Sequence, residues 1–256
     1  MDHDDAMVGR LISRREALAA AARAGLVLAS AAPLAAISSG AQGDTRTVHL
    51  VATPHLTEGP FFVDEKLNRS DLTTGTNRPS VVNGLPLLLA LTIYRQERSG
   101  PVQLKDAHVD VWHADVNGVY SDEANPMNHE NTAHQNWLRG YQVTDAIGRV
   151  QFKTIFPGWY PGRSPHIHFK VRSYSAAEKV TAEFTSQLFF KDADARRIYA
   201  AEPYGSRGGH ETTNAYDGVY NEFQVDGRPA GQSMLLDLEK RLSGYQAHFS
   251  VLLTAP

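Results

Sequence analysis

The sequence predicts an all-β protein: an antiparallel β-sandwich with long loops and at most one short helix. Three observations carry that expectation. From Thr47 to Thr254 the chain reads as short apolar or alternating stretches separated by turn residues, with no long amphipathic helix and no internal repeat. Regular spacing of such strands favours two packed antiparallel sheets. Setting aside 43 N-terminal residues of different character leaves 213 of the 256, enough for one β domain with its own core. Cysteine is absent, so disulfides, thiolate metal sites and a cysteine nucleophile are excluded and the packed core alone must stabilise the fold.

In chain order, residues 1–43 read as a targeting segment. Ser13-Arg14-Arg15-Glu16-Ala17-Leu18 is a twin-arginine pattern, Ala24 to Ile37 is apolar apart from Ser30 and Pro33, and Ser39-Gly40-Ala41 supplies small residues for cleavage. Arg23 interrupts the apolar run, which is then too short to span a membrane. The segment implies export, to the periplasm or beyond, by the twin-arginine route, with residues 44–256 as the domain and no stable membrane span after removal. An alanine-rich amphipathic helix is the alternative for the same residues.

Strands are expected at Thr47 to Ala52, Pro86 to Tyr94, His108 to His113, Arg139 to Thr144, Arg149 to Ile155, His166 to Tyr174, Glu183 to Phe190, Tyr220 to Val225, Ser233 to Glu239 and Gln246 to Leu253. Asp145-Ala146-Ile147-Gly148 should close a hairpin between its flanking strands. Asp192 to Ala200 is the one helix, with Asp194 placed to cap it. The formal net charge is −3 and is unchanged by removing residues 1–43, so nothing points to nucleic acid.

Two segments carry chemistry. Phe156 to Val171 places Tyr160, Arg163, His166 and His168 on a loop running into a strand; Pro157, Gly158, Pro161, Gly162 and Pro165 forbid a helix there. His166 and His168 are two apart on a β segment, so both side chains share a face and could share a metal ion. Two solvated histidines on a surface strand are the plain alternative. Upstream, Val109 to Tyr120 reads as an alternating strand that stops at an Asn-Gly turn and then presents Tyr120.

Together the segments resemble the intradiol ring-cleavage dioxygenases, the catechol and protocatechuate 3,4-dioxygenase type. The resemblance extends through Thr57-Glu58-Gly59-Pro60-Phe61-Phe62, Leu138-Arg139-Gly140 and Thr154-Ile155. It implies a non-haem Fe(III) centre held by Tyr120, Tyr160, His166 and His168, with a small aromatic 1,2-diol and O2 as substrates. The charge argument agrees, since two phenolates and one hydroxide cancel three positive charges and two neutral imidazoles complete the shell. By the same resemblance Tyr160 aligns with the axial tyrosine that leaves the metal as the diol binds, and Tyr120 with the equatorial one that stays. Arg163 lies beside the substrate and stabilises charge developing on the ring, Gln187 supports the site, and the product is a cis,cis-muconate-type diacid. Trp112, His113 and Asp115 belong to the motif as packing. Relatives form dimers or larger assemblies, so a homo-oligomer is expected to be possible.

Three loops are placed over the site. Glu58 to Thr76 borders it or leads a strand, and its Phe61 stands where many relatives carry tyrosine. Ser121 to Trp137 holds Asp122, Glu123, His129, Glu130 and His134 and reads as a charged, solvated loop rather than a second metal site. Glu202 to Tyr220 reads as a lid or a partner surface. Two readings of other classes remain at this stage: a transthyretin-like binding module without catalysis, and a zinc hydrolase using His166 and His168 with Glu183 or Asp122 as base.

Overall fold

The strand pattern folds into two five-stranded sheets and a small two-stranded ribbon. The computed structural model describes residues 50–209 and 212–254. The 1–43 segment and Thr47 to His49 of the first expected strand lie outside the described residues, and 50–52 form no strand.

The first sheet is built on β1 (Pro86–Glu97), whose successive halves pair antiparallel with β5 (Arg149–Ile155) and β2 (Gly100–Gln103). On its other side lies β12 (Gly244–Leu253), followed by β11 (Glu239–Arg241). The second sheet has the order β10 (Leu235–Leu236), β7 (Val180–Phe190), β6 (His166–Tyr174), β3 (His108–Trp112) and β4 (Arg139–Val143). Leu87, Leu89, Leu91 and Ile93 alternate along β1 and are buried against Val109, Val111, Ile167, Phe169 and Val171 of the second sheet. That apolar period of two makes the sandwich.

The expected class stands, with local corrections. β1 and β12 run parallel, as do β7 and β10, because each pair is joined by a long excursion rather than a hairpin. Asp145 to Gly148 is a tight turn, its Asp145 Oδ1 accepting from the Ile147 and Arg149 amides at 2.9 Å, but no hairpin. β4 pairs with β3 and β5 with β1, so the turn carries the chain from one sheet to the other. Tyr220 to Val225 is mostly turn, with only Gln224–Val225 (β8) pairing Arg228–Pro229 (β9). Ser233 to Glu239 contains only β10 and the first residue of β11, after a 3-10 turn at Ala230–Met234. The expected helix is α2 (Asp192–Tyr199), preceded by the single turn α1 (Pro79–Val82). Asp194 does not cap α2: Lys191 holds that position without a side-chain bond, and Asp194 pairs with Arg197 at 2.8 Å within the helix. Among the described residues no helix is long and apolar enough to cross a membrane.

Candidate metal centre

Alternation along β6 turns Ile167, Phe169 and Val171 into the core and His166, His168, Lys170 and Arg172 to the opposite face. In register with His168 on that outer face stand Trp112 of β3 and Gln187 of β7. The seven residues His166 to Arg172 are all buried nonetheless, because the chain after Leu56 crosses the outer face. Lys170 is paired with Glu58, its ammonium 3.9 Å from the Phe62 ring centre, and Arg172 binds Asp64 at 2.9 Å.

Tyr120 and Tyr160 are brought together by two turns packed backbone to backbone. Asp115 shapes the first, its Oδ1 accepting from the Asn117 and Val119 amides at 2.8 and 3.1 Å, and its Oδ2 from Arg78 Nε at 2.7 Å. Gly118 has φ +76°, and a Cβ there would lie 2.1 Å from the Trp159 carbonyl oxygen; one on Gly158 would lie 2.2 Å from that of Asp115. Only glycine fits either place. Two tyrosines behind the second turn fix it, Tyr199 donating to Pro157 O at 2.8 Å and Tyr204 to Phe156 O at 2.6 Å.

The four expected ligands converge. The Tyr120 and Tyr160 hydroxyls lie 3.3 and 3.1 Å from His166 Nε2, and His168 Nε2 lies 3.1 Å from the same atom. His166 Nδ1 donates to Ser164 O at 2.6 Å, which leaves the Nε2 lone pair pointing inward. His168 is sandwiched on Trp112, centroids 4.9 Å apart and planes 12° from parallel. Burial pushes both imidazoles well below their ordinary range, the neutral state a metal requires. Burial also raises the Tyr120 phenol well above its ordinary range and raises that of Tyr160, where Arg163 opposes the effect. Two inward phenols and two bare imidazole nitrogens form a donor set for a hard, highly charged cation, whose field reverses the cost of ionising the phenols.

Arg163 and Gln187 join the same site. Arg163 donates through a terminal nitrogen to Gln187 Oε1, and Gln187 Nε2 donates to Thr57 O at 2.7 Å, tying the roof loop to the sheet. Phe61 of that roof stacks on Tyr120 at 4.6 Å, and Gly59 lies against His168. Phe61, Trp112, Ala114 and Tyr120 form an apolar cluster of their own, with Phe62 and Tyr160 against it.

Sequence reasoning missed four supports. Asp217 accepts from Arg163 Nε at 2.9 Å across 54 positions of sequence. Asn128 accepts from the Tyr120 amide at 2.7 Å and donates to its carbonyl at 2.9 Å, while Thr132 donates to that carbonyl at 2.7 Å. Arg139, buried, donates to Phe61 O at 2.6 Å and through Nε to Ser121 O at 3.1 Å. The loop from Ser121 to Trp137 thus cradles Tyr120 with its buried residues, while of its charged and histidine side chains His129, Glu130 and His134 are exposed as expected and Asp122 and Glu123 are not. His113 and Asp115 are polar hubs rather than packing: His113 Nε2 meets Thr154 Oγ1 at 2.6 Å. A turn signal at Asp217-Gly218 was visible; nothing local indicates its partner.

Neither carboxylate expected of a zinc hydrolase joins the histidines. Glu183 pairs with Lys170 at 3.0 Å and lies opposite Arg172, four residues or about 13 Å along the strand from His168. Asp122 accepts from the His134 amide. Among the described residues no three His, Asp or Glu side chains are grouped to hold a metal.

Residues 57–197, more than half of the chain, match the family model described as Dioxygenase. Over 112 residues the chain is 30% identical to catechol 1,2-dioxygenase of Acinetobacter baylyi, covering 43% of this chain and 32% of that one. The match therefore spans about a third of that relative. Among solved structures, an intradiol ring-cleavage dioxygenase from Tetranychus urticae superposes with TM-score 0.65 at 25% identity, over 80% of this chain and 95% of the other. The dioxygenase domain of a dioxygenase carbohydrate-binding protein fusion from Streptomyces sp. SirexAA-E shares the fold, with TM-score 0.54 at 24% identity over 80% of this chain and 100% of the other.

Proposed function

The chain belongs to the intradiol ring-cleavage dioxygenase family, and from that premise we propose that it opens the ring of a catechol-type diol at a non-haem Fe(III) centre. Both atoms of O2 enter the product, a cis,cis-muconate-type diacid. One observation carries the reading: the two phenol oxygens and His168 Nε2 all lie within 3.1–3.3 Å of His166 Nε2, without a carboxylate among them.

Tyr120, Tyr160, His166 and His168 would hold the iron. Bound ferric iron supplies a Lewis acid at which an aromatic diol binds as its dianion and becomes reactive towards O2. The protein's own groups divide the remaining work. Tyr120, fully buried with its backbone clamped by Asn128 and Thr132, is the fixed anion. Tyr160 is half-buried beside the exposed Pro161 and Gly162, so its oxygen stands where an entering diol can give up a proton. Arg163, beside Tyr160, offers fixed positive charge to the reacting ring, and Gln187 holds that guanidinium in place. Phe61 and Gly59 roof the site and exclude water.

The visible spectrum of iron-loaded protein tests the assignment. Phenolate-to-Fe(III) charge transfer gives colour. Protein that binds stoichiometric iron and stays colourless, or binds none, sinks the ferric reading and returns the chain to a binding module.

A further inference from the structure

The Asn-Gly pair in the turn before Tyr120 carries chemistry that ring cleavage does not use. Asparagine followed by glycine reacts with itself readily in a flexible chain, because a residue without a Cβ leaves its amide nitrogen open to the neighbouring side-chain carbonyl. Here Asn117 is exposed and, among the described residues, its carboxamide has no hydrogen-bond partner. One of the two reacting groups is therefore free.

The other is held. The Gly118 amide donates to the Asp115 carbonyl at 2.9 Å, and the Gly158 amide of the second turn donates to the same oxygen at 3.0 Å. Turning the Gly118 nitrogen towards the Asn117 side chain breaks the first of these bonds and moves a residue packed so closely on the Trp159 carbonyl that no Cβ fits. Arg207 ties the two turns together from outside, its Nη1 donating to Val116 O at 2.8 Å and its guanidinium lying 4.6 Å from the Trp159 ring centre. The reaction thus requires the two turns to part, the same movement that separates Tyr120 from Tyr160.

We propose that Asn117-Gly118 is a self-modification site, held in check by the closed metal centre and converted irreversibly once the two turns part. The Gly118 nitrogen attacks Cγ of Asn117; the Cγ–Nδ2 bond breaks, and Nδ2 leaves as ammonia with the proton that Gly118 gives up. One water then opens the cyclic imide. Cleavage of the new bond at Cγ leaves aspartate at position 117, whereas cleavage at the main-chain carbonyl leaves isoaspartate, whose main chain runs through the side chain and is one atom longer. No oxidant or cofactor enters. The turn is closed at one spacing: Asp115 Oδ1 accepts from the Asn117 and Val119 amides at 2.8 and 3.1 Å, and the Asp115 amide donates to Val119 O at 2.9 Å. The longer chain breaks that closure and no longer seats Tyr120, so protein that has stayed open is retired from metal binding. The reaction itself needs no metal; only its suppression by iron rests on the ligand assignment.

The test incubates the full chain in mildly alkaline buffer as iron-loaded, metal-free and guanidinium-unfolded protein, and follows peptides covering residues 117 and 83 by mass and by isoaspartate content. Asn83-Gly84 is the internal reference, an Asn-Gly pair at the end of α1 with Asn83 exposed and the Gly84 amide donating to Val81 O at 3.1 Å. Conversion at Asn117 should be about tenfold or more slower in folded metal-free protein than in unfolded protein, since the turn must open first. Bound iron should slow it by about threefold or more again, and by more than it slows Asn83, because the metal favours the closed turns. Arg207→Gln should hasten conversion at Asn117 in the folded protein and leave Asn83 unchanged. Should that variant fail to fold, Asn117→Ser decides: without the reactive carbonyl it should keep its capacity for iron after metal-free ageing, while the parent loses capacity in step with isoaspartate at position 117. Equal rates in folded and unfolded protein, equal protection of both asparagines by bound iron, or aged protein that carries isoaspartate at position 117 and still binds iron overturns the inference and leaves ring cleavage standing. Protein that binds no iron removes the ligand assignment, and the suppression by iron with it.

Discussion

Tyr120 and Tyr160 share a site but not an environment. Tyr120 is 1% exposed and its amide and carbonyl are held by Asn128 and Thr132, whereas Tyr160 lies on a half-open loop between two prolines. Tyr160→Phe should therefore leave three ligands in place and retain iron, with a shifted charge-transfer band, while ring cleavage falls roughly a hundredfold because the proton acceptor is gone. Stopped-flow should register slower growth of the catecholate band. Parent-rate binding and cleavage by Tyr160→Phe would return Tyr160 to an aromatic packed under a turn. Tyr120→Phe should also cut cleavage, through loss of the anion that stays. Gly158 is as exacting as either tyrosine, since a Cβ there meets two carbonyl oxygens of the other turn at 2.2 and 2.3 Å. Gly158→Ala should cost about 2–3 kcal/mol in denaturant unfolding and lower iron affinity as the tyrosines separate. An alanine variant of unchanged stability would mean that the two turns do not touch.

At the scale of elements, the strands that bear the histidines were legible because period-two patterning fixes them, and Arg149 to Ile155 and His166 to Tyr174 emerge with the expected ends. Pairing was less legible. Asp145 to Gly148 has hairpin chemistry, yet turn residues specify only a chain reversal, and the choice between sheets belongs to the apolar faces that follow. The loops hid most of the site's support for the same reason: Asn128, Arg139 and Asp217 act on groups 8, 78 and 54 positions away. His113, between β3 and the Asp115 turn, gives this scale a test. Burial holds its imidazole down from the ordinary 6.5 to about 4, and the neutral ring suits both contacts, Nδ1–H donating to Ala114 O and Nε2 accepting from Thr154. Because the unfolded chain binds this proton first, its contribution is complete above pH 6.5 and is lost as pH falls towards 4, about 3 kcal/mol in all. Urea unfolding at pH 7 and 4.5 should show that loss in the parent and a smaller one in His113→Gln, His166 and His168 contributing the remainder in the same direction. Equal pH dependence in both proteins would refute the role of His113.

For the whole molecule, the site stands on the outer face of one sheet, outside the main core, in an aromatic cluster of its own. Composition anticipated a core sufficient without disulfides, and it is continuous between the two sheets. What composition could not anticipate is that the second sheet is buried on both faces, because the covering segment after Leu56 reads only as a border of the site or a turn leading into a strand. Lys170 and Arg172 reconcile the two by pairing with Glu58 and Asp64 of that segment. Export remains a proposal, resting on Ser13 to Leu18 and the apolar run after Arg23. The twin-arginine route accepts folded cargo, which suits a protein whose metal ligands come from Tyr120 and from a loop and strand forty and more positions later: the site exists only after both sheets have formed. Replacing Arg14 and Arg15 together by lysine should therefore leave a folded, coloured, iron-loaded protein inside the cell, with the periplasmic fraction reduced about tenfold or more on the signal's requirement for the arginine pair. Deleting residues 1–43 should give the same intracellular protein, with the thermal midpoint unchanged within about 2 °C if that segment adds nothing to the packed domain. Periplasmic enzyme at parent levels from the double-lysine variant would show that the arginine pair does not direct export. A deletion variant that no longer folds would place part of residues 1–43 in the domain, as the amphipathic-helix alternative requires.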